Sequence, residues 1–175
     1  MSTLLKPPVS TNDHIRGSKD APIELVEYGD FECSDCGHAH PIIKAIQLEM
    51  GNDLKFVFRN FPLAQIHPHA VNAALAAEAA ALQNKFWEMH DIIFNNQQQL
   101  ELPHLLFYAK NIGLDLDKFK DDIQEPALLA KVEADFESGI RSGVNRTPSF
   151  FVNGQKYNGR LKELINYLKS PITNF

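Results

Sequence analysis

The chain contains two cysteines, Cys33 and Cys36, and only Ser34 and Asp35 lie between them. A disulfide between cysteines this close would shut a very small loop, so it would add little stability. A secreted domain that depends on disulfides usually has more cysteines at wider spacing. Two thiols at this spacing can instead exchange disulfides with other molecules, because a thiolate attacks a disulfide sulfur. The pair therefore predicts thiol chemistry rather than a structural bridge.

The segments around the cysteines predict a strand, a helix and a second strand. Residues 23–28 are mostly apolar and partly β-branched, as in a short strand. A helix is predicted over residues 33–50, because Gly51 is a favoured helix end. Residues 54–58 predict the next strand. Two strands that are joined by a helix in this way pair in parallel.

This arrangement gives the two sulfurs different roles. Cys33 would open the helix, where unpaired backbone N–H groups and the helix dipole stabilise a thiolate. Cys36 would lie one turn further along the helix, on the same face and within bonding distance. We therefore expect Cys33 to be an exposed nucleophile with a low pKa and Cys36 to be a buried resolving thiol.

Three other residues stand at positions that suit such a site. Glu27 lies in the first strand, six residues before Cys33. If its side chain points inward, burial raises its pKa, and it could exchange a proton with Cys36. The alternative is a solvated glutamate at the end of a strand. Thr147 and Pro148 directly precede a predicted strand, and a cis bond there would turn the Thr147 backbone towards a substrate chain.

The rest of the chain predicts an arm, a helical block and a closing α/β segment. Residues 1–20 are polar and contain Pro and Gly, so they predict an arm that leads into the fold. The block from 65 to 140 has no strand pattern, and its predicted helices lie at 70–83, 85–94, 105–112, 115–123 and 126–140. The final segment predicts strands at 149–152 and 155–157, joined by an Asn153-Gly154 turn, and a helix at 161–168.

Over residues 13–168 the chain resembles the DsbA-like branch of the thioredoxin superfamily. The resemblance rests on Glu27, Cys33-x-x-Cys36, Pro41, Asn60-Phe61-Pro62-Leu63, His67-Pro68-His69-Ala70, Phe86-Trp87-Glu88-Met89-His90-Asp91 and Thr147-Pro148. It implies an α/β, thioredoxin-like fold with an inserted all-helical domain. The thioredoxin-like domain would comprise residues 21–64 and 141–175, and the insertion residues 65–140.

The resemblance also implies an activity and a set of site residues. It implies a protein disulfide oxidoreductase in which Cys33, Cys36, Glu27 and a cis Pro148 are catalytic. Exchange between sulfurs needs no cofactor, and we expect none. The expected partners are protein or small thiol and disulfide substrates and an unidentified redox partner.

Substrate contacts and tuning residues are expected next to the cysteines. We predict that Phe31, Ser34, Asp35 and Thr147 contact the substrate. This branch commonly has proline or histidine between the cysteines, whereas this chain has Ser34-Asp35. A negative charge at Asp35 would disfavour a thiolate, which predicts a relatively reducing couple, although the helix terminus opposes this effect. His40 would face the cysteines one turn on, where it either tunes them or packs.

Two other readings of the same residues stay open. Cys33, Cys36, His38 and His40 offer ligands for zinc, but a single helix cannot easily surround a tetrahedral ion. We therefore expect no metal. The second alternative is a binding module without catalysis, although such a module would not need both cysteines.

Composition excludes some classes of partner. The formal net charge is -5 and is spread along the chain, so there is no basic patch for nucleic acid and no basic helix for a membrane surface. The apolar runs are too short to cross a bilayer. The N-terminus lacks a secretory leader, which predicts a cytoplasmic protein, or a periplasmic one if a leader was removed.

Overall fold

The computed structural model describes residues 3–170. These residues contain a five-stranded mixed sheet in the order β1-β3-β2-β4-β5. Its strands are β1 (His14–Gly17), β2 (Ile23–Gly29), β3 (Leu54–Asn60), β4 (Ser149–Val152) and β5 (Gln155–Tyr157). β2 and β3 pair in parallel, and the other pairs are antiparallel. The parallel pair confirms the predicted strand–helix–strand unit.

Within the same residues the chain forms seven α-helices. They are α1 (Ser34–Met50), α2 (Ala70–Ala81), α3 (Phe86–Phe94), α4 (Leu102–Asn111), α5 (Leu116–Asp122), α6 (Pro126–Arg141) and α7 (Leu164–Lys169). Helices α2 to α6 all lie between β3 and β4 in the chain, so the predicted fold class is confirmed. The boundaries of the two domains stay a prediction, and their outermost residues, 1–2 and 171–175, lie outside the described part.

Individual helix ends follow local sequence signals. α1 ends at Gly51, whose φ of 52° is a left-handed conformation that glycine adopts easily. The Asp115 side chain caps α5 by accepting hydrogen bonds from two backbone N–H groups of its first turn. The predicted closing helix begins as a 3₁₀ turn over Leu161–Glu163 before it continues as α7.

The prediction of an N-terminal arm is wrong in one respect, since part of it belongs to the sheet. β1 pairs with the outer edge of β3, Leu4 bridges Gln155, and Leu5 is buried. Four residues of sequence HIRG carry no alternation from which a strand could be predicted. Pairing with an existing strand, rather than intrinsic propensity, makes this segment extended.

The sheet separates two apolar clusters, and strand alternation determines which side chains reach the cysteines. Leu25 of β2 and Phe58 of β3 lie in the larger cluster, which also contains Cys33 and Cys36. Val26, one position from Leu25, lies in the smaller cluster on the other face. Because side chains alternate along a strand, Glu27 points to the same side as Leu25, towards the cysteines.

Candidate active site

Cys33 lies directly before the first residue of α1, as predicted. The Cys36 thiol and the backbone N–H groups of Cys36 and Asp35 stabilise a thiolate at Cys33. These donors outweigh burial and lower the pKa of Cys33 to about 5. The residue is only 9% exposed, so its sulfur is less open to solvent than expected.

Cys36 has the opposite environment one turn further on. It is completely buried, and its sulfur accepts the Asp30 backbone N–H at 3.5 Å. Burial, its hydrogen bond to Cys33 and the charges of Glu27 and Cys33 raise the pKa of Cys36 well above its ordinary value. At neutral pH the first thiol is therefore ionised and the second is protonated.

Glu27 is 3% exposed and faces the cysteine side of the sheet. In the sheet it lies between Phe58 of β3 and Phe150 of β4. It has no hydrogen-bond partner among residues 3–170, so nothing stabilises its charge. Burial and the negative charge of Cys33 raise the pKa of Glu27 to about 8. The solvated strand-end glutamate that the sequence left open is excluded.

The segment before β4 closes the site on the other side of Cys33. The Thr147–Pro148 peptide bond is cis, and the Thr147 carbonyl oxygen lies 3.6 Å from the Cys33 sulfur. The Thr147 hydroxyl is buried and has no hydrogen-bond partner among residues 3–170. Thr147, and with it the adjoining Pro148, therefore lies beside the Cys33 sulfur.

The structure bears on two predictions about residues beside the cysteines. We expected the charge of Asp35 to raise the pKa of Cys33 against the opposing helix terminus. Its carboxylate is exposed and its backbone N–H lowers that pKa, so the opposing effect prevails. Phe31 was expected to contact substrate, but it is 1% exposed and packs on Phe58 and Phe94. Ser34 and Asp35 are both exposed, so they stay candidate substrate contacts.

His40 belongs to a separate buried cluster. It packs on the rings of Phe94 and His90, and burial lowers its pKa. Its Nε2 lies 3.8 Å from a carboxylate oxygen of Asp91. These contacts favour the alternative role of His40 in packing over tuning.

The four zinc ligands considered from the sequence do not come together among the described residues. The set of potential ligand atoms found within 4.8 Å of one another is instead His40, His90 and Asp91. Asp91 already binds the cations Arg16 and Lys44, at 3.1 and 3.0 Å. A divalent ion bound there would lie close to these two cations, and the repulsion between like charges disfavours its binding.

Sequence reasoning missed the side chain that holds the turn at residues 31–33, which leads into α1, from the helical side. The Gln97 amide donates to the carbonyl oxygens of Phe31 and Cys33, each at 2.8 Å. A Cβ at Gly37 would lie 1.9 Å from the Gln97 amide oxygen, so glycine is required for this approach. A polar residue in a loop between helices carries no periodic signal, so only the folded chain shows this contact.

The turn is held on its other side by two acidic residues. Asp30 accepts hydrogen bonds from the Leu63 backbone N–H at 2.8 Å and pairs with His67 at 2.7 Å. Glu32 accepts the His69 backbone N–H at 2.7 Å. The charge and hydrogen bond of Asp30 overcome burial and raise the pKa of His67. The sequence suggested only a structural role for these histidines before α2.

The fold is that of thioredoxin-like thiol–disulfide oxidoreductases, with two cysteines close together at the start of a helix. The profile of the family described as Thioredoxin (Thioredoxin_4) matches residues 9–169, so the chain belongs to this family.

Three solved structures share the DsbA-like form of the fold. BdbD from Bacillus subtilis has a TM-score of 0.80 at 24% identity and covers 96% of this chain and 97% of its own. α-DsbA1 from Wolbachia pipientis has a TM-score of 0.78 at 25% identity, covering 91% and 90%. A thioredoxin-like oxidoreductase from Silicibacter pomeroyi has a TM-score of 0.80 at 23% identity, covering 90% of each chain.

The similar curated proteins have a different name and a greater length. The Na(+)/H(+) antiporter NhaA of Herminiimonas arsenicoxydans is 45% identical over 157 residues, which are 89% of this chain and 25% of the antiporter. NhaA 1 of Salinispora arenicola is 41% identical over 171 residues, 98% of this chain and 26% of the antiporter. This chain thus spans about a quarter of the length of these relatives. Among residues 3–170, no helix is both long and apolar enough to cross a bilayer.

Proposed function

We propose that this chain exchanges disulfides with protein substrates through Cys33 and Cys36. The observation that carries the proposal is the opposite shift of two thiol pKa values within one helical turn. Cys33, with a pKa of about 5, is a thiolate at neutral pH. Cys36, whose pKa is raised, keeps its proton until the nucleophile has reacted. This order of events is what a two-step exchange requires.

The exchange proceeds through two sulfur–sulfur displacements. The Cys33 thiolate attacks one sulfur of the substrate disulfide, which forms a mixed disulfide and releases the other substrate sulfur as a thiolate. The Cys36 thiol then loses its proton and attacks the Cys33 sulfur. The substrate leaves with both sulfurs reduced, and Cys33 and Cys36 are left oxidised as a disulfide. The reverse sequence oxidises a substrate dithiol.

Glu27 is the proposed acceptor of the Cys36 proton. While Cys33 is a thiolate, its charge helps to hold the Glu27 pKa near 8. Formation of the mixed disulfide removes that charge, so the pKa values of both Glu27 and Cys36 fall. A larger fraction of Glu27 is then ionised at the step where a base is needed, although burial still holds its pKa above the ordinary value. Pro148 and Thr147 support this site by placing a backbone carbonyl beside Cys33 for a substrate chain to contact.

The stabilised thiolate bears on the direction of electron flow. A low pKa at Cys33 favours the dithiol over the disulfide, and this makes the disulfide a stronger oxidant. The low pKa of Cys33 therefore argues against the relatively reducing couple that was predicted from the charge of Asp35. We propose a couple more oxidising than one with an unshifted nucleophile, by about 60 mV at neutral pH. Equilibration with glutathione of known ratio measures this potential.

The test of the proposed activity uses variants of the two cysteines. Cys33→Ser should abolish reduction of insulin disulfides by a thiol donor, because no nucleophile is left. Cys36→Ala should trap the mixed disulfide on Cys33, which is seen as a covalent adduct that a reductant releases. Lys110→Ala, at an exposed position of α4, is the control and should keep turnover. Full activity of Cys33→Ser would contradict the assignment of the nucleophile.

A second candidate function comes from the names of the curated relatives. We infer that this domain acts on a Na(+)/H(+) antiporter or as a part of one, because 89% of the chain aligns with a quarter of such a protein at 45% identity. Trapping with Cys36→Ala in cells that contain an antiporter of this kind tests it. A mixed disulfide with the antiporter would support this function, and its absence beside abundant adducts with other proteins would contradict it. Cytoplasmic residence stays a prediction, which cell fractionation would check.

A further inference from the structure

A groove lies beside the cysteine pair, between the Thr147–Pro148 segment and the chain that follows β5. It has a volume of about 710 Å³, and its lining extends from Asp35 and His38 to Tyr157 and Arg160. Since the Thr147 carbonyl lies next to the Cys33 sulfur, a substrate joined to Cys33 would continue into this groove. The groove therefore lies where the chain on one side of a substrate cysteine would run.

The charges in the groove are unevenly placed. Arg146, Lys156 and Arg160 all line it, whereas Asp35 is its acidic lining residue, at the end nearest the cysteines. Arg160 is paired with Glu163. Neither Arg146 nor Lys156 forms an ion pair with any residue from 3 to 170. The lining of the groove thus has two positive charges without a counter-charge.

The two unpaired cations are close enough to repel each other. Lys156 is only partly exposed and donates its ammonium to the Gly143 carbonyl, which holds it in place. Burial and the charge of Arg146 lower the pKa of Lys156. An anionic group between the two side chains would relieve this repulsion, and it would be worth more there than at a single exposed lysine.

We propose that this groove selects substrate segments with acidic residues a short distance from the reacting cysteine. The inference rests on the proposed function, since it names the substrate class for the same site. The acidic residues would contact Arg146 and Lys156, and they would avoid the position next to the cysteine because Asp35 lies there. The occupant is an extended acidic polypeptide segment.

The experiment compares two peptides that differ only in charge. Each peptide carries one cysteine, which forms a disulfide with the same small reporter thiol. The positions next to this cysteine are the same in both peptides, and the positions a few residues away hold either glutamate or lysine. The full chain should react about tenfold faster with the acidic peptide at low ionic strength. The difference should vanish in about 1 M salt, where charges are screened within about 3 Å. Equal rates at low salt would overturn the proposal.

Variants locate the preference in the groove. Arg146→Glu combined with Lys156→Glu should reverse the order of the two peptides. Lys110→Glu changes the charge on the exposed part of α4, outside the groove, and should leave the preference intact. An unchanged preference in the double variant, or an equal loss in Lys110→Glu, would overturn the proposal.

A small uncharged disulfide separates this inference from the proposed function. Its rate reports the chemistry of Cys33 alone and corrects for any change that the variants cause in the thiolate. If this disulfide reacts and the peptides show no charge preference, the substrate class is wrong and the activity stands. If it does not react, the proposed function fails. The groove is then tested by the binding of reduced forms of the two peptides, where equal affinity overturns the proposal.

Discussion

Glu27 and Glu78 are both 3% exposed, yet their surroundings differ completely. The Glu78 carboxylate binds His14 at 2.8 Å and the Asn60 amide at 2.7 Å. Those contacts overcome burial and lower its pKa. Glu27 has no such partner among the described residues, and burial raises its pKa to about 8. Equal burial therefore produces a fixed anion in one place and a group that can gain or lose a proton in the other.

The difference follows from what each glutamate holds together. Glu78 on α2 connects β1, through His14, with β3, through Asn60. It joins three elements distant in sequence, so its hydrogen bonds belong to the fold. Glu27 makes no such connection among the described residues, and it faces Cys33 and Cys36, whose charges change during the proposed reaction. A buried carboxyl without partners costs stability, which points to a role in the chemistry.

The largest expected effect comes from matched Glu→Gln substitutions at the two sites. Glu78→Gln should lower the free energy of unfolding by about 3 kcal/mol, because it removes the anion bound to His14 and places an amide donor against Asn60. Glu27→Gln should lower it by less than about 1 kcal/mol, since no hydrogen bond is lost. Denaturant unfolding of both variants at neutral pH measures the two values. Equal losses would show that Glu27 also has a structural role.

The next effect is a dependence of stability on pH that differs between the two redox forms. The folded pKa of Glu27, about 8, is above its ordinary value of 4.5, so its stabilising contribution is lost as pH rises from 4.5 to 8. The folded pKa of Cys33, about 5, is below its ordinary value of 9.0, so its contribution is lost as pH falls from 9 to 5. In the reduced protein these two slopes nearly cancel between pH 5 and 8.

In the oxidised protein Cys33 no longer titrates, so only the Glu27 slope is left. Burial still raises the Glu27 pKa there, but without the Cys33 charge the slope ends at a lower pH than in the reduced protein. The oxidised form should lose up to about 2 kcal/mol of stability between about pH 5 and pH 7, relative to the reduced form. Thermal or denaturant unfolding of both forms across this range measures the difference. Glu27→Gln is the control, since the oxidised variant should lose this slope. Parallel curves for the two wild-type forms would contradict the assigned pKa values.

A smaller effect is expected on the rate of the resolving step. Glu27→Gln should slow the attack of Cys36 on the mixed disulfide by about tenfold at neutral pH, because the amide cannot accept the Cys36 proton. The first attack by Cys33 should be little changed. Rapid-quench analysis of the mixed disulfide separates the two steps. Glu78→Gln, measured under conditions where it stays folded, should leave the resolving rate unchanged.

Much of this site could be predicted because it depends on local patterns. The helix over residues 34–50 follows from a glycine stop at Gly51, and the inward direction of Glu27 follows from strand alternation. Contacts between distant segments could not be predicted. Gln97 reaches the turn at residues 31–33 from a loop whose sequence has no hydrophobic periodicity. The balance at Asp35 could not be sized from the sequence, because the residue type shows a charge, whereas the contribution of its backbone N–H to the low Cys33 pKa is visible only in the folded helix end.

The smallest expected effect tests a third buried carboxylate, Asp30, which lies beside the cysteines and is paired like Glu78. His67 bonds Asp30 at 2.7 Å, and its raised pKa keeps it charged further towards neutral pH. His67→Gln removes that cation, so the Asp30 charge is less balanced and the pKa of Cys33 should rise by about 0.3 units. Ultraviolet absorbance of the thiolate during a pH titration measures this shift.

The matched variant His69→Gln, on the same loop but bound through its backbone, should leave the Cys33 pKa unchanged. A shift as large in His69→Gln would mean that loop structure, rather than the charge on Asp30, sets the environment of Cys33.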